Sequence, residues 1–416
     1  MRRLMHGLRH GTWLTHGRIL RVGALLLLGY AASFAFLLAT ADGLNDFRGR
    51  PVGTDFSNVY AAGTYAIEGK AALPFDPVSQ HARERQIFGA ATPFYGWHYP
   101  PFFLFVAAPL ALMPYLVALL VWQAVTLGLY VLSIRSIVRS LAPDCIGGGR
   151  WLWLLLATAF PAVFVNIGHA HNGFLTAALI GFALVLLERR PIAAGILIGL
   201  LAYKPQFGLM IPLALMAGGY WRVIAAAAAT VGALILAATA AFGVEVWQAF
   251  FDSTHFTRTT VLEAGETGWH KIQSIFAWAR MWGASVSFAY GAQLVAILAL
   301  AAGLIWLWRS GASFALKAAA LCIAALLATP YSLDYDMMML APAIAFLACH
   351  GMVHGFTAWE QSAVAGLWLV PLIARGAADF ALLPLGVLTA VAVVVLILRR
   401  SASQTRMTPG QQVCPQ

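Results

Sequence analysis

Long apolar stretches, broken by short basic or polar links, set the rhythm of this chain. Residues 22–41, 115–138, 151–166, 169–188, 191–203, 205–219, 221–242, 286–308, 314–330, 334–350, 357–375 and 378–398 are each dominated by aliphatic and aromatic side chains. A membrane-spanning helix needs about 20 such residues, so the pattern predicts an all-α integral membrane bundle of about twelve transmembrane helices. Polar positions gather in two long segments, 42–98 and 243–284, and in short links at 166–172, 204–206 and 329–336.

Two apolar stretches depart from this rhythm. Tyr99–Met113 opens with Tyr99-Pro100-Pro101 and closes at Pro114. It is short for a span and predicts an interfacial helix lying along the outer surface. Lys204-Pro205 divides 191–219 into runs of about 13 and 15 residues, each covering roughly 20 Å as helix. That is less than the roughly 30 Å hydrocarbon core, so a hairpin is predicted, with Lys204 in a recess below the outer surface.

Composition supports the membrane reading. Of 416 residues, 61% are hydrophobic and 10% charged, against about 25% charged in soluble domains. The net charge of +10 sits in clusters at helix ends and does not predict a nucleic-acid partner. Arg135, Arg139 and Arg150, then Arg189 and Arg190, then Arg222, Arg309, Lys317, Arg399 and Arg400 fall on one side if the N-terminus is cytoplasmic. The first apolar run is about 20 residues, too long for a signal-peptide core of roughly 7–15, and predicts an uncleaved first span. Residues 1–400 then form one membrane domain, with 1–21 a basic cytoplasmic tail and 401–416 a disordered cytoplasmic tail. Cys145, Cys322, Cys349 and Cys414 lack C-x-x-C spacing and predict neither a disulfide nor a metal site.

With this parity the chemically useful side chains collect on the outer side, while the opposite loops are short and basic. There is no Walker loop and no G-x-G-x-x-G ahead of a helix. A membrane-embedded carrier, such as a polyprenyl phosphate, therefore fits better as donor than a nucleotide sugar. Asp55, in Gly53-Thr54-Asp55-Phe56-Ser57-Asn58-Val59-Tyr60, stands where the first span meets water, close to lipid yet cheap to hydrate.

Several segments resemble glycosyltransferase family 87 of the GT-C superfamily, the polyprenol-phosphate-mannose-dependent mannosyltransferase type. They are Asp55 to Gly63, Tyr99-Pro100-Pro101 with Pro109-Leu110, Ala194-Gly195 with Gly199, Lys204-Pro205-Gln206 and Thr329-Pro330-Tyr331-Ser332. The resemblance implies a GT-C-type bundle with interfacial helices in the first outer loop. It also implies inverting transfer of a hexose, mannose favoured, from a polyprenyl-phosphate sugar to a hydroxyl of a glycolipid or glycan acceptor. Asp55 matches the family's catalytic base. The chain departs from the family at Leu333-Asp334-Tyr335-Asp336, where some members carry a His pair, and at Gly168-His169-Ala170-His171-Asn172, where members tend to carry Gly-Gln.

In the mechanism so implied, Asp55 takes the acceptor proton and cations stabilise the departing phosphate. Lys204 is the first candidate, with Arg258, His255, His270 and Lys271 as alternatives. Substrate contacts are expected from Tyr60, His98, Tyr99, His171, Asn172, Gln206, Gln273, Tyr331, Asp334 and Tyr335. No cofactor is predicted, a divalent ion between Asp55, Asp334 and Asp336 being the less favoured option. The expected site is the periplasmic face of a bacterial-type inner membrane, with both termini cytoplasmic.

Each residue also has a structural reading. Asp55 could cap a helix over 58–69. Asp46 suits an exposed ion pair with Arg48 or Arg50. Lys204 could snorkel, and His169 and His171 suit a hydrated loop. Trp97 and Trp269 suit an interfacial aromatic belt, and Gln273-Ser274 suits the start of a short return helix. For the whole chain, the alternative is a transporter or flippase of a lipid-linked sugar.

Overall fold

The computed structural model describes residues 2–143 and 151–406, which are helical with only isolated β-bridges. Cys145, Arg150 and Cys414 lie outside them. The helices are α1 (Arg2–His10), α2 (His16–Ala39), α3 (Thr54–Ile67), α4 (Pro77–Phe88), α5 (Leu104–Ala111), α6 (Tyr115–Leu141), α7 (Leu152–Thr158), α8 (Pro161–His169), α9 (Gly173–Leu186), α10 (Pro191–Leu200) and α11 (Met210–Ala217). There follow α12 (Trp221–Phe242), α13 (Glu245–Phe256), α14 (Ile275–Met281), α15 (Val286–Arg309), α16 (Phe314–Ala328), α17 (Leu340–His354), α18 (Glu360–Ala381) and α19 (Leu385–Arg406).

Among the described residues, seven helices are long and apolar enough to cross a membrane, or eight if α7 and α8, bent by 47° across a short break, form one span. This is fewer than the expected twelve. The shortfall has a physical source. Helices α9 and α16 are buried along nearly their whole length, so other helices surround them and lipid does not set their length. Helices α10 and α11 are the arms of the segment split by Lys204-Pro205.

Those arms leave and return at the same end. Gly195 abuts Val223 and Ala226, and Gly199 abuts Ala227 and Thr230. The two helices therefore run parallel, α12 alongside α10, which requires α11 to bring the chain back. The Tyr220 hydroxyl, after α11, donates to Glu188, before α10, at 3.3 Å. The expected reversal is present, but its arms splay. Helix α10 packs along α12, while α11 packs against α15 and α16.

Helix directions give the bundle two unlike ends. At one end lie Tyr220 against Trp308, Lys317 bonded to the Ser310 carbonyl and the buried Arg400–Glu360 pair. At the other, the Tyr115 hydroxyl donates to the Val52 carbonyl at 2.7 Å, which ties the start of α6 to the turn before Asp55.

The first long loop is folded, not extended. Helix α3 lies on α5 so closely that a Cβ on Gly63 would sit 2.2 Å from the Ala107 carbonyl oxygen, so only glycine fits there. The Gln80 amide of α4 donates to the Asn58 carbonyl. Asp46 forms the expected pair with Arg50 at 2.8 Å, but it is buried and also accepts the Arg48 and Arg50 N–H groups. Trp97 is a core residue against Tyr99 and Phe103, not an interfacial one, because the loop folds over it. In the second loop, Ser274 caps α14 as expected, accepting the Ala277 N–H at 3.0 Å. An isolated bridge joins Ile272 to Leu333.

Helix α1 docks on α18, and α2 starts at His16 under a Thr15 cap. Helix α19 continues to Arg406, past the expected start of the tail.

Candidate active site

Asp55 stands in the first turn of α3, where the helix dipole favours a carboxylate. It is not the cap. That position belongs to Gly53, whose φ of 74° turns the chain into the helix. A side chain on Gly53 would strike Leu119 and Ala170.

The Asp55 carboxylate lies 3.8 Å from His169 Nδ1. Thr54 Oγ1 shares a 2.7 Å hydrogen bond with the same nitrogen, which orients the ring. Burial raises the Asp55 pKa above the usual range; His169 pulls it back, Asp334 pushes it up, and Lys204 and Lys271 pull it down.

From there a contiguous polar and aromatic set runs inward. Tyr335 meets His169 edge-on at 5.8 Å and stacks on His171 at 3.6 Å. The other face of this set is closed by Tyr99, whose hydroxyl lies 3.1 Å from His171 Nε2. His169 and His171 thus belong to a built site, not to a hydrated loop, because the α8–α9 turn is packed under the 334–339 segment.

Several buried polar atoms in this region have no protein partner. They are His171 Nδ1, both amide atoms of Asn172, Asn166 Nδ2 and Ser332 Oγ. An unsatisfied buried polar group costs about 1–3 kcal/mol, so a group of them marks a place that expects hydrogen-bonding company.

Lys204 is not the available cation that the sequence suggests. Its side chain is 3% exposed and its ammonium is paired with Asp336, whose side chain is 2% exposed. Asp336 also accepts the Leu333 N–H at 3.0 Å, capping the 334–339 turn. The Lys204 charge is therefore already compensated.

A second set, around Asp334, is more open. Arg375 of α18 reaches Asp334 at 3.3 Å through one nitrogen. His270 lies 3.7 Å from Asp379, one turn further along α18. The Ile272–Leu333 bridge brings Lys271 alongside. Among the described residues Lys271 has no carboxylate within ion-pair distance. Burial lowers its pKa, Arg375 lowers it further, and Asp334 and Asp55 raise it.

The remaining predicted residues divide cleanly. Tyr331 lies within electrostatic reach of Asp55 and Asp336. Gln273 is buried at the start of α19, beside Gly386. Tyr60 spends its hydroxyl on the Met113 carbonyl at 2.9 Å. His98 Nδ1 is bonded to Thr257 at 2.9 Å, tying the two long loops together. Arg258 is 61% exposed beside Glu263, and His255 is exposed on α13. Gln206 is half-buried at the tip between α10 and α11, with no bonded partner described. Trp269 donates to the Leu262 carbonyl and carries Arg280 over its ring at 4.6 Å. The sequence reading did not single out Arg375 or Asp379. The signal was present: two ionisable groups four residues apart at the end of an apolar helix, where charge is expensive and seldom idle.

A family model described as glycosyltransferase family 87 matches residues 97–330. This is more than half the chain, and it includes Tyr99, His169, His171, Lys204 and Lys271 but not Asp55. No curated protein and no solved structure matches the chain.

Proposed function

Because the chain belongs to glycosyltransferase family 87, we propose that it transfers a hexosyl group, mannose first among candidates, from a polyprenyl-phosphate sugar to an acceptor hydroxyl. The reaction is inverting. The acceptor oxygen attacks the anomeric carbon, its proton passes to an Asp55 oxygen, and the bond from C1 to the phosphate oxygen breaks. The electron pair leaves with the lipid phosphate.

The observation that carries this reading is the setting of Asp55. Its carboxylate is held in a first helical turn, lifted in pKa by burial and faced by His169. A general base works best with a pKa near the operating pH. The departing phosphate is placed at Lys271 and Arg375, which have charge to spare, and not at Lys204. The unpartnered amide and imidazole atoms at Asn172, Asn166 and His171 suit sugar hydroxyls, and stacked Tyr335 and His171 offer a flat apolar wall. Asp336 and Asp334 each already face a cation, so the reading routes no step through a metal. The basic end of the bundle is assigned to the cytoplasm, which directs Asp55 to the periplasm of a bacterial-type inner membrane. The acceptor is a glycolipid or glycan.

The test is transfer by the purified protein in detergent, using a panel of polyprenyl-phosphate sugars. Transfer there also separates an enzyme from a flippase, which needs two compartments. Asp55→Asn is expected to lower the rate by about 10²–10⁴-fold with donor binding retained. Full activity in that variant would remove Asp55 from the mechanism.

A further inference from the structure

A cavity of about 470 Å³ opens between α2, α6, α7, α17 and α18, within the roughly 300–1,000 Å³ typical of ligand sites. It lies at the end of the bundle away from Asp55, along the second half of α6 and the first half of α18. Further along α2 toward the Asp55 end, Tyr30 bonds to the Ala159 carbonyl and stacks on Phe164 at 4.8 Å.

The lining is almost wholly apolar, and most of its polar heads are already committed. The Tyr130 hydroxyl donates to the Ala157 carbonyl, Trp368 Nε1 to the Leu156 carbonyl, and Trp13 Nε1 to Ser362. The interior therefore presents hydrocarbon and asks for hydrocarbon.

The mouth is different. Arg18 lines it and is exposed, bonded only to the Trp13 carbonyl. No acidic residue lines the cavity. Helix α1 is pinned beside it by the Trp359 N–H on the Arg9 carbonyl and by Ser362 on the Leu8 carbonyl. That leaves the side chains of Arg9 and Arg21 exposed at the same end. An apolar chamber under a rim of cations with no carboxylate partner among the described residues matches an amphiphile with an acyl tail and an anionic head. Basic pockets between membrane helices recognise such headgroups.

We propose that this cavity holds one anionic phospholipid, with an acyl chain among Tyr130, Phe160, Ala348 and Trp368 and its phosphate at Arg18. The site is separate from the Asp55 cluster and does not depend on the reaction proposed there.

The experiment is native mass spectrometry of the full chain purified in mild detergent, after exchange with equal amounts of phosphatidylglycerol and phosphatidylcholine. The wild type is expected to retain one phosphatidylglycerol in preference to phosphatidylcholine. Ala348→Phe fills the chamber and should abolish retention. Arg18→Gln, an exposed change that keeps the test readable if the first variant fails to fold, should weaken retention about fivefold. Equal retention of the two lipids by the wild type, or undiminished phosphatidylglycerol in Arg18→Gln, would overturn the proposal.

Discussion

Two cation–carboxylate sets stand side by side in this molecule and have different fates. Lys204 and Asp336 are both almost fully buried and spend their charges on each other. Lys271 and Arg375 lie nearer the surface, and the one 3.3 Å contact from Arg375 to the buried Asp334 leaves Lys271 without a close partner among the described residues. The first set resembles a rivet. Each ion has lost its hydration and recovers it mainly from the other, with the Leu333 N–H helping Asp336. The second retains unspent charge, at the place proposed above for the phosphate. The same residue types therefore serve as architecture in one case and as candidate chemistry in the other, and burial decides which.

The largest expected effect comes from pulling out half the rivet. Lys204→Met strands Asp336 and should cost about 3–5 kcal/mol, seen as a lower thermal unfolding midpoint in detergent. Adding Asp336→Leu should recover most of that loss. If Lys204→Met instead left stability untouched while weakening donor binding, the two sets would exchange roles.

A lone buried carboxyl sharpens the contrast. Among the described residues Glu84 has no cation within ion-pair distance, only N–H donors from Tyr95, Gln80 and Gly96, and burial raises its pKa to about 7. The folded state thus holds this proton more tightly than the unfolded chain does. Its contribution to stability is complete below the ordinary glutamate pKa of roughly 4.3 and is lost as pH rises through about 7. Glu84→Gln should flatten that decline, a difference of about 3 kcal/mol at neutral pH. Parallel pH–stability curves for the two proteins would argue against it.

Lys271→Met tests the open set. It should leave the unfolding midpoint near that of the wild type and weaken donor binding about tenfold to a hundredfold, read from titration with a polyprenyl-phosphate sugar. Unchanged donor affinity would send the phosphate elsewhere. The smallest effect is on pH. Transfer should fall as Asp55 gains a proton, with an acidic limb above that of an ordinary aspartate. Lys271 pulls the Asp55 pKa down, so Lys271→Met should move the limb to higher pH. A limb that stays in place would mean that another group controls it.

What the sequence reveals and what it hides follow from the range of the forces involved. The apolar runs are local, so most helices are legible, and so is the reversal at Lys204-Pro205, because two short runs cannot each span a bilayer. Helices α9 and α16 mislead because neighbours, not lipid, set their length. The Lys204–Asp336 pair joins residues 132 positions apart, and nothing local announces it. Trp97 has the composition of an interfacial residue and becomes core only when the first loop folds over it. Asp55 is legible by its place after the first span. Its partner His169 comes from the far end of another helix and is assigned only by packing.

The parallel course of α10 and α12 has a mechanical consequence. The tip carrying Lys204 hangs from one rim of the bundle on two stiff arms, each roughly 15–20 Å long, with α10 locked to α12 through Gly195 and Gly199. A push at that rim, at Glu188 or Tyr220, cannot dissipate in a floppy loop. The stiff path from that rim ends at the Lys204–Asp336 pair, which gives a displacement there a direct route to the turn that carries Tyr335.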